Sequence, residues 1–424
     1  MKIRIWLLLS LFASGITWLY MSRVLGPWDD YMGAQHDGLK AQMWDLYPRW
    51  VGARELLLQG RNPYGPEVSQ EIQMAYYGHV VTQDDREPGH KVVDEQRFAY
   101  PVYVVFLMAP LMHADFAEVQ RWAPTVLGLL AAFCVPLCLD LLRWRLPWQE
   151  VTAITLFAVS SPQIVQGMHH QQLTLVVGFL LVAGAWCVSR NYLATAGILL
   201  ACSTLKPQMV FFPLCFFLVW VMGTWRKRWR LLAGFLAMLA GLIGAGELVL
   251  PGWIGYFLAG AAAYRRYFPT TSLLSVALGD TLGEIVGGII VLGLLLLAWR
   301  GRKEAGDSRQ FTSIFAAFLM GTILVFPLFT PFNQVMLILP AMLVLHDRRT
   351  LPRFSRIVFT VTVSWPWIIS GALLLFPPRL NSPNQMPLLP SFLVSFFPLF
   401  LPLLLMTRRS DAVSQIKTTD LRPS

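Results

Sequence analysis

Asp45 begins a polar segment that reads D-L-Y-P-R-W-V-G-A-R-E-L-L-L-Q-G-R-N-P-Y and ends at Tyr64. A carboxylate held beside a hydroxyl group can take its proton while the hydroxyl attacks an electrophilic carbon. Asp45 also lies just ahead of a predicted helical turn, where a carboxylate can cap exposed backbone N–H groups. From position alone, a general base and a helix cap are equally good interpretations of this residue.

Lys206 and the neighbouring His169 and His170 are candidates for stabilising a departing anionic group. Lys206 lies apart from the clusters of basic residues. Alternatively, it is a lysine at the end of a span whose side chain extends to the membrane interface. The two histidines are also typical of polar caps on a short turn, with metal ligation as a further alternative.

Two more pairs of polar residues occur later in the chain. Arg265 and Arg266 are flanked by tyrosines, a grouping that suits a phosphate group and is also common in aromatic belts at membrane surfaces. The side-chain amides of Asn333 and Gln334 suit hydroxyl groups of a ligand. Helix capping is the alternative interpretation of that amide pair.

The composition is that of a polytopic membrane protein. Of 424 residues, 55% are hydrophobic and only 14% are charged, with a mean hydropathy of +0.53. Apolar runs recur along the chain, and about 20 such residues cross about 30 Å of hydrocarbon. We therefore expect a single integral membrane domain over residues 1–424.

The five cysteines all lie in apolar runs, which indicates buried small hydrophobes rather than disulfides or metal ligands.

The distribution of charge predicts which loops face the cytoplasm. Basic residues cluster between the apolar runs, which is typical of cytoplasmic loops and accounts for the net charge of +10 without a nucleic-acid partner. Residues 26–97 hold 12 of the 24 acidic and 7 of the 34 basic residues, a charge of −5. We predict an outer loop over 26–119 on the periplasmic or extracellular side of the plasma (inner) membrane. Both termini are predicted to be cytoplasmic, with a short tail at 407–424.

About twelve crossings are predicted, and the first is interpreted as an uncleaved anchor rather than a signal peptide. The short apolar stretch 98–113 is predicted not to cross, because a crossing there would place the later basic clusters outside. The predicted spans are 3–25, 120–142, 150–167, 172–189, 192–205, 207–224, 231–250, 273–299, 311–329, 333–346, 356–376 and 390–407.

A helix is also predicted inside the outer loop. Trp50, Ala53 and Leu57 recur at helical spacing over residues 47–58, with charged residues between them, and a Gly-Arg-Asn-Pro sequence follows. This pattern predicts an amphipathic helix that lies on the outer leaflet and ends near Gly60.

Segment 45–64 resembles the first-loop signature of the family 87 glycosyltransferases, which are membrane mannosyltransferase-like enzymes with a GT-C fold. Further stretches that resemble the family follow in the same order: Phe98-Ala99-Tyr100-Pro101, Gln171-Gln172-Leu173-Thr174, Leu205-Lys206-Pro207 and residues 269–274. Gln171 and Thr174 replace a Gly and an Asn of the pattern, and Thr270 replaces another Asn. The resemblance extends over residues 45–274.

The resemblance implies an all-α, GT-C-like bundle and an inverting enzyme that uses a polyprenyl-phosphate sugar. It implies transfer of a mannose-like hexose to a lipid or glycan acceptor on the outer face, with membrane lipids around the site. A first-loop aspartate would be the general base, with Asp45 as the candidate and Asp29-Asp30 as the rival. The predicted substrate-binding residues are Arg49, Tyr100, His169, His170, Gln172, Lys206, Arg265, Arg266, Ser272, Asn333 and Gln334.

The sequence lacks the common nucleotide-binding motifs. It has no Walker loop and no Gly-x-Gly-x-x-Gly phosphate cradle, which disfavours a nucleotide-sugar donor. No cofactor or bound metal is expected, because the outer loop lacks a D-x-D sequence; a role for a divalent metal stays open. A multi-pass transporter or flippase is the main alternative function. A polymerase or ligase that acts on pyrophosphate-linked glycans is a second.

Overall fold

The computed structural model describes residues 2–27, 45–82, 96–264, 272–326 and 330–377. Several predicted features lie outside these residues: the pair Arg265 and Arg266, the rival base Asp29-Asp30, the last predicted span 390–407 and the tail 407–424. The regular secondary structure in the described part of the chain is all helical, with no strand, as expected for a membrane protein whose backbone groups must be satisfied locally.

The helices are numbered in chain order. They are α1 Lys2–Tyr20 (continued by a π-helical turn, Met21–Leu25), α2 Tyr47–Gln59, α3 Pro66–Tyr77, α4 Val104–Met108, α5 Phe116–Leu141, α6 Trp148–Val159, α7 Pro162–His169, α8 Thr174–Ser189, α9 Leu193–Cys202, α10 Pro207–Gly223, α11 Trp225–Val249, α12 Trp253–Tyr264, α13 Leu273–Leu278, α14 Asp280–Arg300, α15 Arg309–Val325, α16 Ile338–His346 and α17 Arg353–Leu375. A 3₁₀ helix, Pro331–Leu337, leads into α16.

Five described helices are long and apolar enough to cross a membrane. A sixth span results if α6 and α7, which meet at 59°, are counted together. The five are Ile5–Leu25, Phe116–Leu141, Trp225–Val249, Asp280–Arg300 and Arg353–Leu375. The other predicted spans within the described residues contain shorter apolar helices. At 1.5 Å per residue, a ten-residue helix such as α9 covers only about 15 Å, so the count of twelve crossings stays a prediction.

Several predicted spans are interrupted, and some helices were not predicted. The span predicted at 273–299 breaks into α13 and α14 at Gly279, whose φ of 83° is accessible mainly to glycine. The span predicted at 333–346 begins as a 3₁₀ helix after Pro331. Residues between the predicted spans 231–250 and 273–299 form α12, Trp253–Tyr264.

Polar and arginine-rich contacts mark opposite ends of the bundle. At one end, before α8, the Gln171 amide donates to the Gln120 carbonyl near the start of α5 at 3.3 Å. At the other end, Arg190, just after α8, donates to both carboxylate oxygens of Asp140 in the last turn of α5, at 2.6 Å each. The helices α5 and α8 therefore run in parallel from a polar end to an arginine end.

The stretch 98–113 contains only short helical turns, α4 and the 3₁₀ helix Ala109–Leu111. Several of its apolar residues are buried in the main core, among them Val102, Val104 and Val105. A five-residue helix is too short to cross a bilayer. The stretch therefore packs into the protein and contains no helix long enough to cross; that it does not cross stays a prediction.

Helix α2 begins and ends where the sequence predicted, and Gly60 closes it with a φ of 67°. Its apolar side, however, does not face lipid. Trp50 packs at 5.3 Å from the Phe116 ring and donates its indole N–H to the Leu111 carbonyl at 2.9 Å. A Cβ added at Gly52 would lie 2.3 Å from the Phe98 ring. The prediction of a helix lying on the outer leaflet is therefore corrected: stretch 98–113 and the start of α5 cover the apolar side of α2.

Glycines bring α9 and α11 into backbone contact, as is common where membrane helices pack closely. A Cβ at Gly234 would lie 2.3 Å from the Ala194 carbonyl oxygen, whereas a Cβ at Gly244 on the same helix meets nothing within 4 Å. We expect Gly234→Ala to destabilise the protein by about 1–3 kcal/mol through overpacking. Thermal unfolding in detergent should show a lower midpoint for Gly234→Ala and no loss for Gly244→Ala. Equal midpoints would contradict this packing.

Candidate active site

Lys206 is a buried cation held between neutral partners. Its side chain is 9% exposed, and its Nζ donates to Gln172 Oε1 at 2.8 Å and to Thr174 Oγ1 at 2.7 Å. The residue directly precedes α10, and Pro207 at the first helical position fixes the chain direction there. Because a buried charge is costly unless an opposite charge compensates it, this ammonium group is suited to receive an anion.

A hydrogen-bonded chain extends from Lys206 to the 3₁₀ helix. The Thr174 hydroxyl accepts from Lys206 and donates to Asn333 Oδ1 at 3.0 Å. The Asn333 amide in turn donates to the Thr330 hydroxyl at 2.6 Å. We call Gln172, Thr174, Lys206 and Asn333 the Lys206 cluster. Because these contacts fix the Lys206 side chain from two sides, its ammonium group is positioned before any ligand binds.

The Tyr100 ring lies between two cations. The Arg49 guanidinium is 4.3 Å from the ring centroid, and Lys206 Nζ is 5.8 Å from it. Both distances allow cation–π attraction. The Phe332 ring lies 5.5 Å from the same Nζ. Residues from the first loop, stretch 98–113 and the 3₁₀ helix therefore meet around Lys206.

Asp45 joins this arrangement through Arg49. Its carboxylate lies 4.0 Å from the Arg49 guanidinium, which also donates to the Asp45 backbone carbonyl. The N-cap of α2 is Leu46, whose side chain makes no capping hydrogen bond. Asp45 is therefore not the N-cap residue of α2. Its side chain is 33% exposed, so the carboxylate is accessible to a proton donor.

Buried tyrosines hold stretch 98–113 in place. The Tyr64 hydroxyl donates to the Tyr100 carbonyl at 2.5 Å, and the Tyr103 hydroxyl donates to the Thr204 carbonyl at 3.0 Å. Burial raises the pKa of both phenols above the usual value, so they remain neutral donors at physiological pH. Tyr64 closes the first-loop segment, and Thr204 lies two residues before Lys206. Both bonds therefore help to fix Tyr100 beside Lys206.

A family model for glycosyltransferase family 87 matches residues 98–331, which is more than half of the chain. The chain belongs to glycosyltransferase family 87. It is therefore a membrane glycosyltransferase, and the family resemblance of the sequence is confirmed. No curated protein matches, and no solved structure matches either.

The family 87 match includes Tyr100 and three members of the Lys206 cluster, Gln172, Thr174 and Lys206. It begins at Phe98 and ends at Pro331, so Asp45, Arg49, Asn333 and Gln334 lie outside the matched residues. The roles predicted for individual residues stay predictions, because a family match assigns the fold and the class of reaction rather than atoms.

The other predicted residues lie at varying distances from the cluster. The His170 ring is 6.3 Å from the Phe332 ring and 5.6 Å from the His169 ring, so this pair borders the cluster. Ser272 instead caps α13 by accepting from the Ser275 N–H at 3.1 Å, and no described contact connects it to Lys206. Within the described ranges, no group of three His, Cys, Asp or Glu side chains could hold a metal ion.

Glu55 is a buried carboxylate that the sequence reasoning did not single out. It is 5% exposed and lies 2.5 Å from the Arg61 guanidinium, which also reaches Glu71 on α3 at 3.2 Å. Both Glu55 and Arg61 belong to the first-loop segment. Part of that segment therefore ties α2 to α3 and has a structural role.

We expect Glu55→Gln to lower the free energy of unfolding by about 1–2 kcal/mol, because it weakens a charged hydrogen bond whose arginine keeps some access to water. The measurement is thermal unfolding in detergent. Glu67→Gln is the matched control, since Glu67 lies 3.8 Å from the same arginine with its side chain 80% exposed. Equal midpoints for the two variants would contradict the structural role of Glu55.

The arginine end contains a cavity of about 380 Å³, far from the Lys206 cluster along α5 and α15. It is lined by Leu141, Leu142, Arg143, Asp307, Ser308, Arg309 and Thr312. Arg143 pairs with Asp307, and Arg309 pairs with Asp347. Each of these arginines has a carboxylate partner, whereas Lys206 has only neutral partners among the described residues. We therefore place the candidate active site at the polar end.

Proposed function

We propose that this membrane glycosyltransferase transfers a mannose-like hexose from a polyprenyl-phosphate sugar to a lipid or glycan acceptor, with inversion at the anomeric carbon. The observation that carries this proposal is the buried charge of Lys206, which has no carboxylate partner among the described residues. As the bond between the anomeric carbon and the phosphate oxygen breaks, negative charge grows on the phosphate. A fixed cation stabilises that charge without reorganisation.

Asp45 is the proposed general base. The acceptor oxygen bonds to the anomeric carbon as polyprenyl phosphate departs, and the acceptor proton moves to the Asp45 carboxylate. In support, this carboxylate is partly exposed, does not cap its helix and connects to the Lys206 cluster through Arg49 and Tyr100. In this proposal Lys206 faces the leaving group, and Asp45 faces the acceptor.

The proposed orientation follows the positive-inside rule. The arginine end would face the cytoplasm, and the polar end would face the periplasm or the extracellular space of a plasma (inner) membrane. Both termini would then be cytoplasmic, with twelve crossings in a GT-C-like bundle. A lipid-linked donor is consistent with this placement, because it reaches an outer site through the membrane and needs no cytoplasmic nucleotide or cofactor.

The test is sugar transfer by the purified protein in lipid vesicles supplied with a membrane-lipid acceptor mixture. The donors are radiolabelled polyprenyl-phosphate mannose, glucose, galactose and arabinose, beside nucleotide sugars with the same sugar groups. We expect transfer from at least one polyprenyl-phosphate sugar and none from the nucleotide sugars. Transfer from a nucleotide sugar alone would overturn the proposed donor. A lack of transfer from every donor, with folded protein, would favour a transporter or flippase.

A further inference from the structure

Gln163 is a buried amide beside the candidate active site that no part of the proposed reaction uses. It lies in the first turn of α7, directly after the 59° bend that separates α6 from α7. Its side chain is 8% exposed, and its Nε2 donates to Gln334 Oε1 at the long distance of 3.5 Å. Gln334 follows Asn333, so Gln163 adjoins the Lys206 cluster through the 3₁₀ helix.

The carbonyl oxygen of the Gln163 side chain has no hydrogen-bond donor among the described residues. The side-chain oxygen of Gln171 also has no hydrogen-bond donor among the described residues. Gln171 is 1% exposed and directly precedes Gln172 of the cluster. A buried acceptor left without a donor costs about 1–3 kcal/mol. Gln163 contacts Gln334, the neighbour of Asn333, and Gln171 precedes Gln172, so both acceptors adjoin the Lys206 cluster through one residue. Two such acceptors around one cluster indicate a site that a ligand completes.

The chemistry of these groups selects a class of ligand. Side-chain amides are neutral, and an oxygen that lacks a donor is satisfied by a hydroxyl group. Lys206 attracts an anion in the same region. A ligand that combines a phosphate with a ring of hydroxyl groups meets both requirements, and a polyprenyl-phosphate hexose is such a ligand.

Resting on the proposed function, we propose that Gln163 accepts a hydrogen bond from a hydroxyl group of the donor's sugar ring and is thereby a specificity-determining residue. It takes no part in proton transfer. Its contribution is to favour sugars that present a hydroxyl at one ring position. A site built to bond a hydroxyl discriminates against a sugar that lacks it, because its polar group is then left unpaired.

The test combines one side-chain change with removal of single hydroxyl groups from the donor. Wild type and Gln163→Met are assayed with the transferred polyprenyl-phosphate hexose and with its 2-, 3-, 4- and 6-deoxy forms, and kcat/KM is compared. We expect one deoxy form to lose about three- to tenfold in kcat/KM with wild type. With Gln163→Met, the intact donor should lose a similar factor, and that deoxy form should lose nothing more.

Gln166→Met on the same helix is the matched control, since Gln166 is only half-buried, and it should keep the wild-type response to all deoxy forms. Gln163→Met keeps the volume of the side chain and removes an unpartnered acceptor, so it should fold. Gln163→Asn shortens the side chain by one carbon and so withdraws the amide. Its kcat/KM with the same intact and deoxy donors is a second test.

A uniform effect of Gln163→Met on all donors, or none on any, would overturn the inference while leaving the proposed function intact. Such a result would mean that the amide oxygen is satisfied by water or has only a packing role. If wild type transfers from no polyprenyl-phosphate sugar, the proposed function itself fails, and that outcome is seen before any Gln163 variant is assayed.

Discussion

Asp45→Asn is expected to lower kcat for sugar transfer by about 10²–10⁴-fold, which is the usual contribution of a positioned general base. The amide has nearly the same shape as the carboxylate but cannot accept the acceptor's proton. Donor binding and the unfolding midpoint should change little, because the contact with Arg49 is 4.0 Å long and the carboxylate is one-third exposed. The measurement is transfer under saturating donor, beside thermal unfolding of the same preparation.

Two further variants serve as comparisons for Asp45→Asn. Glu67→Gln removes an exposed carboxylate from the same outer region and should leave kcat unchanged. Asp30→Asn tests the rival position and should also transfer at nearly the wild-type rate. If Asp30→Asn loses activity and Asp45→Asn does not, the base lies at the start of the first loop, and the role proposed for Asp45 is wrong.

Lys206→Met is expected to lower kcat/KM for the lipid-linked donor by about 10–100-fold while leaving the unfolding midpoint equal or higher. The lost activity corresponds to a charged hydrogen bond to phosphate, worth about 1.5–3 kcal/mol. The preserved stability follows because the two hydrogen bonds to Gln172 and Thr174 are lost together with the cost of burying an ammonium group that has no carboxylate partner among the described residues. If Lys206 only stabilised the fold, Lys206→Met would lower the unfolding midpoint and leave kcat/KM unchanged.

Lys227→Met is the matched control for Lys206→Met. Lys227 is an exposed lysine at the beginning of α11, at the arginine end, so its loss should change neither kcat/KM nor the midpoint. Binding of the polyprenyl phosphate without its sugar gives an independent readout, because it should weaken with Lys206→Met and not with Lys227→Met. Unchanged binding of that lipid by Lys206→Met would contradict the assignment of a phosphate to Lys206.

The long helices could be predicted from the sequence because hydropathy alone defines them. The runs that became α1, α5 and α17 are apolar over a membrane-length window. The interruption at Gly279 and the 3₁₀ helix after Pro331 could not be predicted, since both depend on local backbone geometry within runs that stay apolar. Helix α12 was not predicted because it lies between the predicted spans 231–250 and 273–299 and, with 12 residues, is shorter than a membrane span.

The site could be predicted only in part. Lys206, Gln172 and Asn333 attracted attention as polar residues outside the basic loops, and the structure brings them into one hydrogen-bonded chain. Ser272 has a local capping role instead. Gln163 was missed, although a polar side chain within a predicted span is itself a signal of function or of a buried partner. The sequence alone could not show that Arg49 and Lys206 approach the same tyrosine ring, because that meeting depends on tertiary packing.

The placement of the active site is tested by a cryo-EM structure of the protein in lipid nanodiscs with a non-hydrolysable polyprenyl-phosphonate hexose. We expect the phosphonate within hydrogen-bonding distance of Lys206 Nζ, and the anomeric carbon on the side from which Asp45 can reach an acceptor hydroxyl. A phosphonate bound in the cavity between Arg143 and Arg309 at the arginine end would contradict the placement of the active site.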